Sequence, residues 1–493
     1  MQCRQVACAA IGLLAATVVL RASEFSDDLA ARRARLIGRL GSDSMLIVLS
    51  APTRSYSLDI DYEYRQDSNL YYLTGLAQED TALVLMPGNA TRKEIVFVKD
   101  KDPVREHWNG RTLSHDEVQT RSGIRTIMSA GQFNAFVAAI LSRRESGSID
   151  DKEAGAFFGA LDEGRARVFL MMDAAGLNDP PTRVQDLARR LRDRFLGFQL
   201  VDGTHLLTDL RLVKTPYERG LLIKAAQISA DAQMAGMRAA RPGAYEYEVK
   251  AAIEAVQRGR GAISPAYPSI VGSGPNATIL HYPDSDRQMQ AGDLLLADAA
   301  CNYEYMSPDI TRTYPVSGTF TQAQKDVYAV VLGAQDAAMA VARAGSTIAA
   351  VHNKAVESIK AGLLKLGLIT DASGEQYRMW YTHGTSHYIG IDVHDVGERS
   401  RILQAGMAFT IEPGIYVRQS VLDALPPTDA NRALIAKIQQ AVTKYANIGI
   451  RVEDSFLLEE SGLRRLSASV PRTIAEIESF MHNRPASATA GAR

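Results

Sequence analysis

The 493-residue chain carries 55 basic and 56 acidic residues, a net charge of −1 that provides no field to concentrate nucleic acid or anionic lipid at its surface. Its 46% hydrophobic and 23% charged content is that of a packed globular body, which excludes extended disorder and a polytopic membrane protein. At roughly 100–200 residues per domain the length predicts two or three domains, and the elements below divide into two.

The N-terminus reads differently from the rest. Arg4 precedes an apolar stretch from Val6 to Leu20, followed by Arg21-Ala-Ser, the layout of a secretory signal and short for a spanning helix. The expectation is a signal peptide over residues 1–23, removed near Ala22 or Ser23, and a periplasmic or secreted mature protein without membrane contact. The alternative is an uncleaved single anchor. Cys3 and Cys8 fall inside this leader, so Cys301 remains alone and no disulfide framework forms. Beside a predicted buried strand, Cys301 reads as a small apolar filler.

Residues 24–200 alternate β-type runs (45–49, 82–86, 94–98 and 167–171) with helical segments such as 130–143, which predicts an α/β domain. The next region opens with Leu212-Val-Lys-Thr-Pro-Tyr-Glu, where Thr215 caps a helix, Pro216 suits its first position and Glu218 completes a capping box. A boundary near residue 200 follows. From 201 to 482 long helices (216–239, 245–258, 322–344, 351–366) alternate with short strand pairs, which predicts helices packed on antiparallel sheet, an α+β domain. The Ala/Ser/Gly/Pro-rich residues 483–493 read as a disordered tail.

One pattern occurs twice. Ala291-Gly-Asp-Leu-Leu-Leu-Ala-Asp298 and Ala405-Gly-Met-Ala-Phe-Thr-Ile-Glu412 share a turn dipeptide, an apolar strand and a terminal carboxylate, as expected of two halves related by duplication. An unpaired carboxylate after such a strand is costly to desolvate, so Asp298 needs a cation or strong hydrogen bonds. Asp309 follows eleven residues later, and Asn302-Tyr-Glu-Tyr-Met-Ser between them predicts a hairpin that returns it beside Asp298. Two carboxylates sharing one site raise one another's pKa unless a positive charge lies between them.

Further along, His383-Gly-Thr-Ser-His387-Tyr-Ile-Gly-Ile-Asp-Val-His394 places three of nine histidines in twelve residues. Glu412 ends its own strand, and Glu453 lies in an alternating strand with Arg451 on the same face. Carboxylates with a single imidazole suit a hard or borderline dication, Mn²⁺ most naturally, with Co²⁺, Zn²⁺ or Fe²⁺ as alternatives. Four carboxylates are too many for one catalytic ion. Bridging carboxylates would hold two ions about 3.5–4 Å apart, and a water between them ionises near pH ~7.

The motifs Asp298-Ala-Ala, Asp309-Ile-Thr-Arg-Thr, His383 to His394-Asp, Glu412-Pro-Gly and Arg451-Val-Glu453-Asp resemble those of the aminopeptidase P and prolidase family. The likeness extends to Tyr64-Arg-Gln-Asp-Ser-Asn-Leu-Tyr-Tyr-Leu-Thr-Gly75 and Trp108-Asn-Gly-Arg111. It implies a creatinase/prolidase-type N-terminal domain, a pita-bread catalytic domain and hydrolysis of the bond between a first residue and a following proline. It implies that His387 and Glu412 bind one ion and Asp298 the other, with Asp309 and Glu453 bridging. Glu412 would also carry a proton from the bridging water to the leaving proline nitrogen. By the same resemblance His281 and His394 hold the scissile carbonyl, and His383, Tyr416 and Arg451 line or brace the substrate site. Trp108 would reach a neighbouring subunit's proline pocket, which requires a homo-oligomer, a dimer or tetramer. Residues 419–446 resemble an insertion relative to compact relatives.

The nearest rival is a prolidase restricted to Xaa-Pro dipeptides. A metal-free pita-bread protein serving as a peptide-binding module would lack ligands, and none is missing. Gly272-Ser-Gly-Pro-Asn lacks the Gly-Lys-Ser/Thr ending of a phosphate loop and reads as a turn at the active-site rim.

Overall fold

The computed structural model describes residues 24–147, 149–172 and 176–483. The expected leader and residues 484–493 of the expected tail lie outside the described residues. No helix among the described residues is long and apolar enough to cross a membrane. Contacts divide the chain into two units between Arg211 and Leu212.

The first unit holds a six-stranded mixed sheet. Its strands are β1 (Ser44–Leu49), β2 (Ala82–Leu85), β3 (Glu94–Val98), β4 (Thr126–Ser129), β5 (Ala166–Leu170) and β6 (Phe198–Asp202), ordered β4-β3-β2-β1-β5-β6. Continuous apolar runs such as Ser-Met-Leu-Ile-Val-Leu in β1 suit strands covered on both faces. Met45, Ile47, Val84 and Phe97 of the sheet pack with Phe136, Ile140, Phe157, Leu187 and Leu191 of the helices. The predicted helix over 130–143 is a 3₁₀ turn, Ala130–Gln132, followed by the α-helix Phe133–Leu141.

Sequence patterning missed β4 and β6, which are the two edges of the sheet. Edge strands are short and half-solvated, so they lack the unbroken apolar signal of the central ones. The miss also misplaced the boundary. β6 pairs in parallel with β5 and the helix Thr204–Leu212 follows it, which moves the division beyond residue 200.

The second unit opens as Thr215 predicts. Its hydroxyl accepts from the Glu218 amide at 3.2 Å while the Glu218 carboxylate accepts from the Thr215 amide at 2.9 Å, capping the helix Pro216–Ala239. The helices Glu246–Gly259, Gln322–Val341 and Ile348–Leu366 follow. Among the described residues every strand pairing in this unit is antiparallel. β7 (Ile270–Ser273), β8 (Leu294–Asp298) and β9 (Thr311–Pro315) form one sheet with β8 central. β10 (Ala408–Ile411) pairs with β13 (Asp454–Glu459), and β11 (Gly414–Tyr416) pairs with β12 (Gly449–Arg451).

The repeated pattern has a shared backbone cause. Gly292 and Gly406 take φ of +90° and +92°, and each turn feeds a buried strand that delivers a carboxylate to its end. A β-carbon is disfavoured at that φ, which is why both turns carry glycine. Residues 419–446 form the helices Gln419–Asp423 and Asp429–Tyr445, the latter burying Ile438, Val442 and Tyr445. Cys301 is buried beside Ser229, and burial pushes its thiol up to about 11, which leaves it unreactive.

Candidate metal centre and substrate cavity

Strand pairing assembles the carboxylates. In β8 and β9, Asp298 lies opposite Thr311, and the Ala299 amide bonds to the Ile310 carbonyl, which returns Asp309 beside Asp298. The predicted turn between them is present, with Tyr303 bridged to Met306 and Glu304 and Tyr305 at positive φ. The Glu453 amide donates to the Thr311 carbonyl at 3.1 Å, and the Glu412 amide to the Thr385 carbonyl at 2.7 Å. Asp298, Asp309 and Glu453 are all buried.

Their oxygens converge. One ligand atom from each of Asp298, Asp309 and Glu453 lies within 4.8 Å of the others, and the same holds for His387, Glu412 and Glu453, and for Asp309, His387 and His394. His387 Nε2 stands 3.5 Å from Glu412 Oε1, 3.6 Å from Asp309 Oδ2 and 3.9 Å from Glu453 Oε1. Its Nδ1 meets the Tyr388 carbonyl at 3.1 Å. With the proton on Nδ1, that bond turns the Nε2 lone pair toward the carboxylates, the usual support for a ligating histidine.

Positive charge in the cluster falls short of the negative. Arg451 binds Asp298 and donates to the Tyr416 hydroxyl at 3.0 Å and to Thr311 Oγ1 at 3.1 Å. Glu453 Oε2 accepts from Thr311 Oγ1 at 2.6 Å, but its Oε1 is buried with no hydrogen-bond partner. Burial and neighbouring carboxylates push Asp298 up to about 6 and Glu412 up to about 7, and drive Glu453 well above the carboxylate range. Burial opposes charge on Asp309 too, yet His387 and Tyr267 hold it below its ordinary value. These are the properties of a cation site. An orphaned carboxylate oxygen, acids that hold protons for want of a counter-charge, and an oriented imidazole together match the donor set of divalent metal.

A cavity of about 700 Å³ opens over the cluster. Its lining includes His281, His383, His387, His394, Glu412 and Arg451, so the sequence-derived residues of the second unit meet in one place, with Tyr416 behind them. His383 Nδ1 faces the Gly384 carbonyl and its Nε2 lies 2.9 Å from the Tyr416 hydroxyl. Burial and the Arg451 charge push His383 down to about 3, so it is neutral and accepts the Tyr416 proton. The His394 ring packs 4.3 Å from that of His387, edge to face. Partial desolvation and the charge of His387 lower its pKa, although the residue is exposed at the cavity wall. The Gly272-Ser-Gly-Pro-Asn segment, read as a turn at the rim, is instead the end of β7 running into the 3₁₀ helix Gly274–Thr278, held by the buried Glu246, which accepts from the Ser273 amide and hydroxyl and from the Arg287 amide. Trp108 is not among the lining residues. It sits 80% exposed on the first unit's helix Pro103–Asn109, which buries no side chain.

Sequence reasoning missed Tyr267 and Arg399. The Tyr267 hydroxyl bonds to both Asp298, at 2.6 Å, and Asp309. Arg399 lines the cavity beside Gly384. Neither stands in a patterned strand, and a phenol in Pro-Ala-Tyr-Pro carries no signal until the two aspartates are paired in space.

The pattern of metallopeptidase family M24 matches residues 220–460, and that of the aminopeptidase P N-terminal domain matches residues 29–149. The chain is 33% identical to a Xaa-Pro aminopeptidase of Haemophilus influenzae, over 92% of this chain and 96% of that protein. It is similar to Escherichia coli aminopeptidase P with the inhibitor Pro-Leu, at TM-score 0.77 and 30% identity, covering 93% of this chain and 98% of that one. A zinc-substituted form of the E. coli protein in complex with product gives TM-score 0.77 and 30% identity over 94% and 99% of the two chains.

Proposed function

The chain belongs to the aminopeptidase P group of metallopeptidase family M24 and is a metal-dependent aminopeptidase with a pita-bread catalytic unit, and from that premise we propose that it removes the first residue from peptides whose second residue is proline. The observation that carries this reading is the cluster of Asp298, Asp309, His387, Glu412 and Glu453 with an unpartnered buried oxygen, at the floor of a cavity large enough for a short peptide.

Asp298, Asp309, His387, Glu412 and Glu453 would hold two divalent ions, and the oxygen-rich donor set favours Mn²⁺. When bound, such ions acidify a water and polarise the substrate carbonyl. The protein's own residues supply the rest. Glu412, at the cavity floor, takes a proton from the attacking water and returns it to the proline nitrogen, which departs poorly as an anion. His394 and His281, at the cavity wall, donate to the scissile carbonyl oxygen. Arg451 fixes Asp298 and Tyr416, and Tyr416 fixes His383 on the substrate side.

Trp108 supports a homo-oligomer. An 80% exposed indole on a helix with no buried side chain is the kind of aromatic that a neighbouring subunit covers. The leader supports export to the periplasm or outside the cell, and mass spectrometry of the mature N-terminus tests it: a protein beginning near Ala22 or Ser23 is expected, and one retaining residues 1–20 indicates an anchor.

Manganese-loaded enzyme should release arginine from Arg-Pro-Pro, and Glu412→Gln should lower that rate about 10²- to 10⁴-fold. Cleavage of Arg-Pro alone would make the protein a dipeptidase.

A further inference from the structure

We propose that the buried ion pair between Lys214 and Asp395 is a positioning device for His394, setting where its imidazole stands over the metal cluster. The inference rests on the reading of His394 as a donor to the scissile carbonyl.

Both side chains are 1% exposed, and Lys214 Nζ lies 2.7 Å from Asp395 Oδ2. Lys214 is fixed from its own side. Its amide donates to the Gly406 carbonyl at 2.8 Å, Val213 is bridged to Met407, and Thr215 caps the long helix that follows. Asp395 directly follows His394. Its amide donates to the Tyr388 carbonyl at 2.9 Å, and its Oδ1 accepts from the Val396 amide at 3.0 Å. The chain therefore leaves the cluster at His387, turns, and returns at His394, with the turn closed by the Asp395–Tyr388 backbone bond, tightened by a Gly390 amide bond to the Asp392 carbonyl at 3.0 Å, and tied to Lys214 through Asp395.

Gly390 shows how closely the turn is seated on the pair. A β-carbon there would lie 2.2 Å from Asp395 Oδ2 and 2.5 Å from Lys214 Nζ, so the backbone runs over the two charges with no room for a side chain. The Gly390 carbonyl also accepts from the Ser307 amide at 2.7 Å, two residues before Asp309. The His394 ring itself touches His387 but takes no hydrogen bond among the described residues. Its place is thus set through its backbone, and the nearest fixed point is Asp395. A displacement of about 1 Å at a group that contacts the reacting atoms can cost about 10²-fold in rate.

A buried ion pair can be exchanged for apolar residues of similar volume without loss of stability, which separates positioning from folding. The test compares Lys214→Met/Asp395→Leu, His394→Ala and the three changes combined, each loaded with manganese and assayed on Arg-Pro-Pro, with bound metal measured. The expected result for the pair replacement is full metal content, KM within about 2-fold and kcat lowered about 10- to 100-fold. In the His394→Ala background the same replacement should lower kcat no further, because the group it positions is gone. Lys214→Met/Asp395→Asn, which keeps the shape at 395 and leaves no unpaired buried charge, should show the same pattern if the first replacement fails to fold. Unchanged kcat in the folded, metal-replete variant overturns the inference, as does a loss that adds in full to that of His394→Ala. If His394→Ala alone leaves kcat intact, the reading of His394 fails and this inference fails with it.

Discussion

Each unit carries a large cavity, and the smaller one lies over the candidate metal cluster. The first unit's cleft, about 1060 Å³, lies at strand ends between Lys99, Lys101, Arg105, Arg183, Arg189 and Arg190. The second unit's measures about 700 Å³. In the first, most charges have an opposite partner or an acceptor: Lys99 pairs with Glu79, Arg189 with Asp186 at 2.8 Å, and Arg183 donates to the Ser50 carbonyl. Most of those pairs are also solvated, where they contribute little. In the second, buried carboxylates outnumber the cations that face them and one oxygen has no partner. Imbalance under burial, rather than volume, marks the site, because only there does a bound cation relieve a large electrostatic penalty.

Removing the metal is the strongest way to break this contrast. Chelation should abolish peptide cleavage and manganese should restore it, with the melting temperature rising as metal is added because the ions bind only the folded cluster. Persistence of activity in metal-free protein, measured with bound metal below a tenth of an equivalent or so, would sink the assignment of the cluster.

The metal-free protein should also reverse the usual pH trend. Burial and the charges of Asp309 and Asp298 push Glu412 from its ordinary 4.5 up to about 7. A carboxyl raised in this way stabilises the fold fully below 4.5 and loses that contribution as pH rises through 7. Burial alone would lower His387, but Asp309 and Glu412 outweigh it and push it up to about 9, so its contribution is lost in the same direction, through 9. Chelated protein should therefore melt at progressively lower temperature as pH rises across this range. Loaded protein should not, since the cation takes the place of those protons. Glu453→Gln should raise the melting temperature of the chelated form by a few degrees while weakening metal binding. If that variant melts below the parent in both forms, repulsion among the carboxylates is not what the metal relieves.

The elements that carry the proposed ligands were legible in the sequence because each of those residues ends or flanks a short apolar run. Asp298 and Glu412 close β8 and β10 after the same Ala-Gly turn, and the hairpin between Asp298 and Asp309 is local. What the sequence hid was long-range or polar. Lys214 meets Asp395, and Tyr267 meets Asp298 and Asp309, only after strands and turns have packed. The edge strands β4 and β6 were hidden for the opposite reason, being too solvated to show a pattern, and β6 took the domain boundary with it.

Trp108 offers the finest test of the two regions, with the smallest expected effect. Its helix, Pro103–Asn109, is capped by Asp102 but buries none of its residues, and Trp108 is 80% exposed. Replacement by alanine removes little packing within the chain, so the melting temperature should correspond to a change within about 0.5 kcal/mol. Sedimentation and the KM for Arg-Pro-Pro then carry the information. In an oligomer whose subunits place this indole in one another's cavities, Trp108→Ala should raise KM several-fold with kcat nearly unchanged, since a stacked proline is held alike in ground and transition states. An unchanged KM in an intact oligomer would leave the first unit without any part in binding substrate through this residue, and its exposed indole would be ordinary surface.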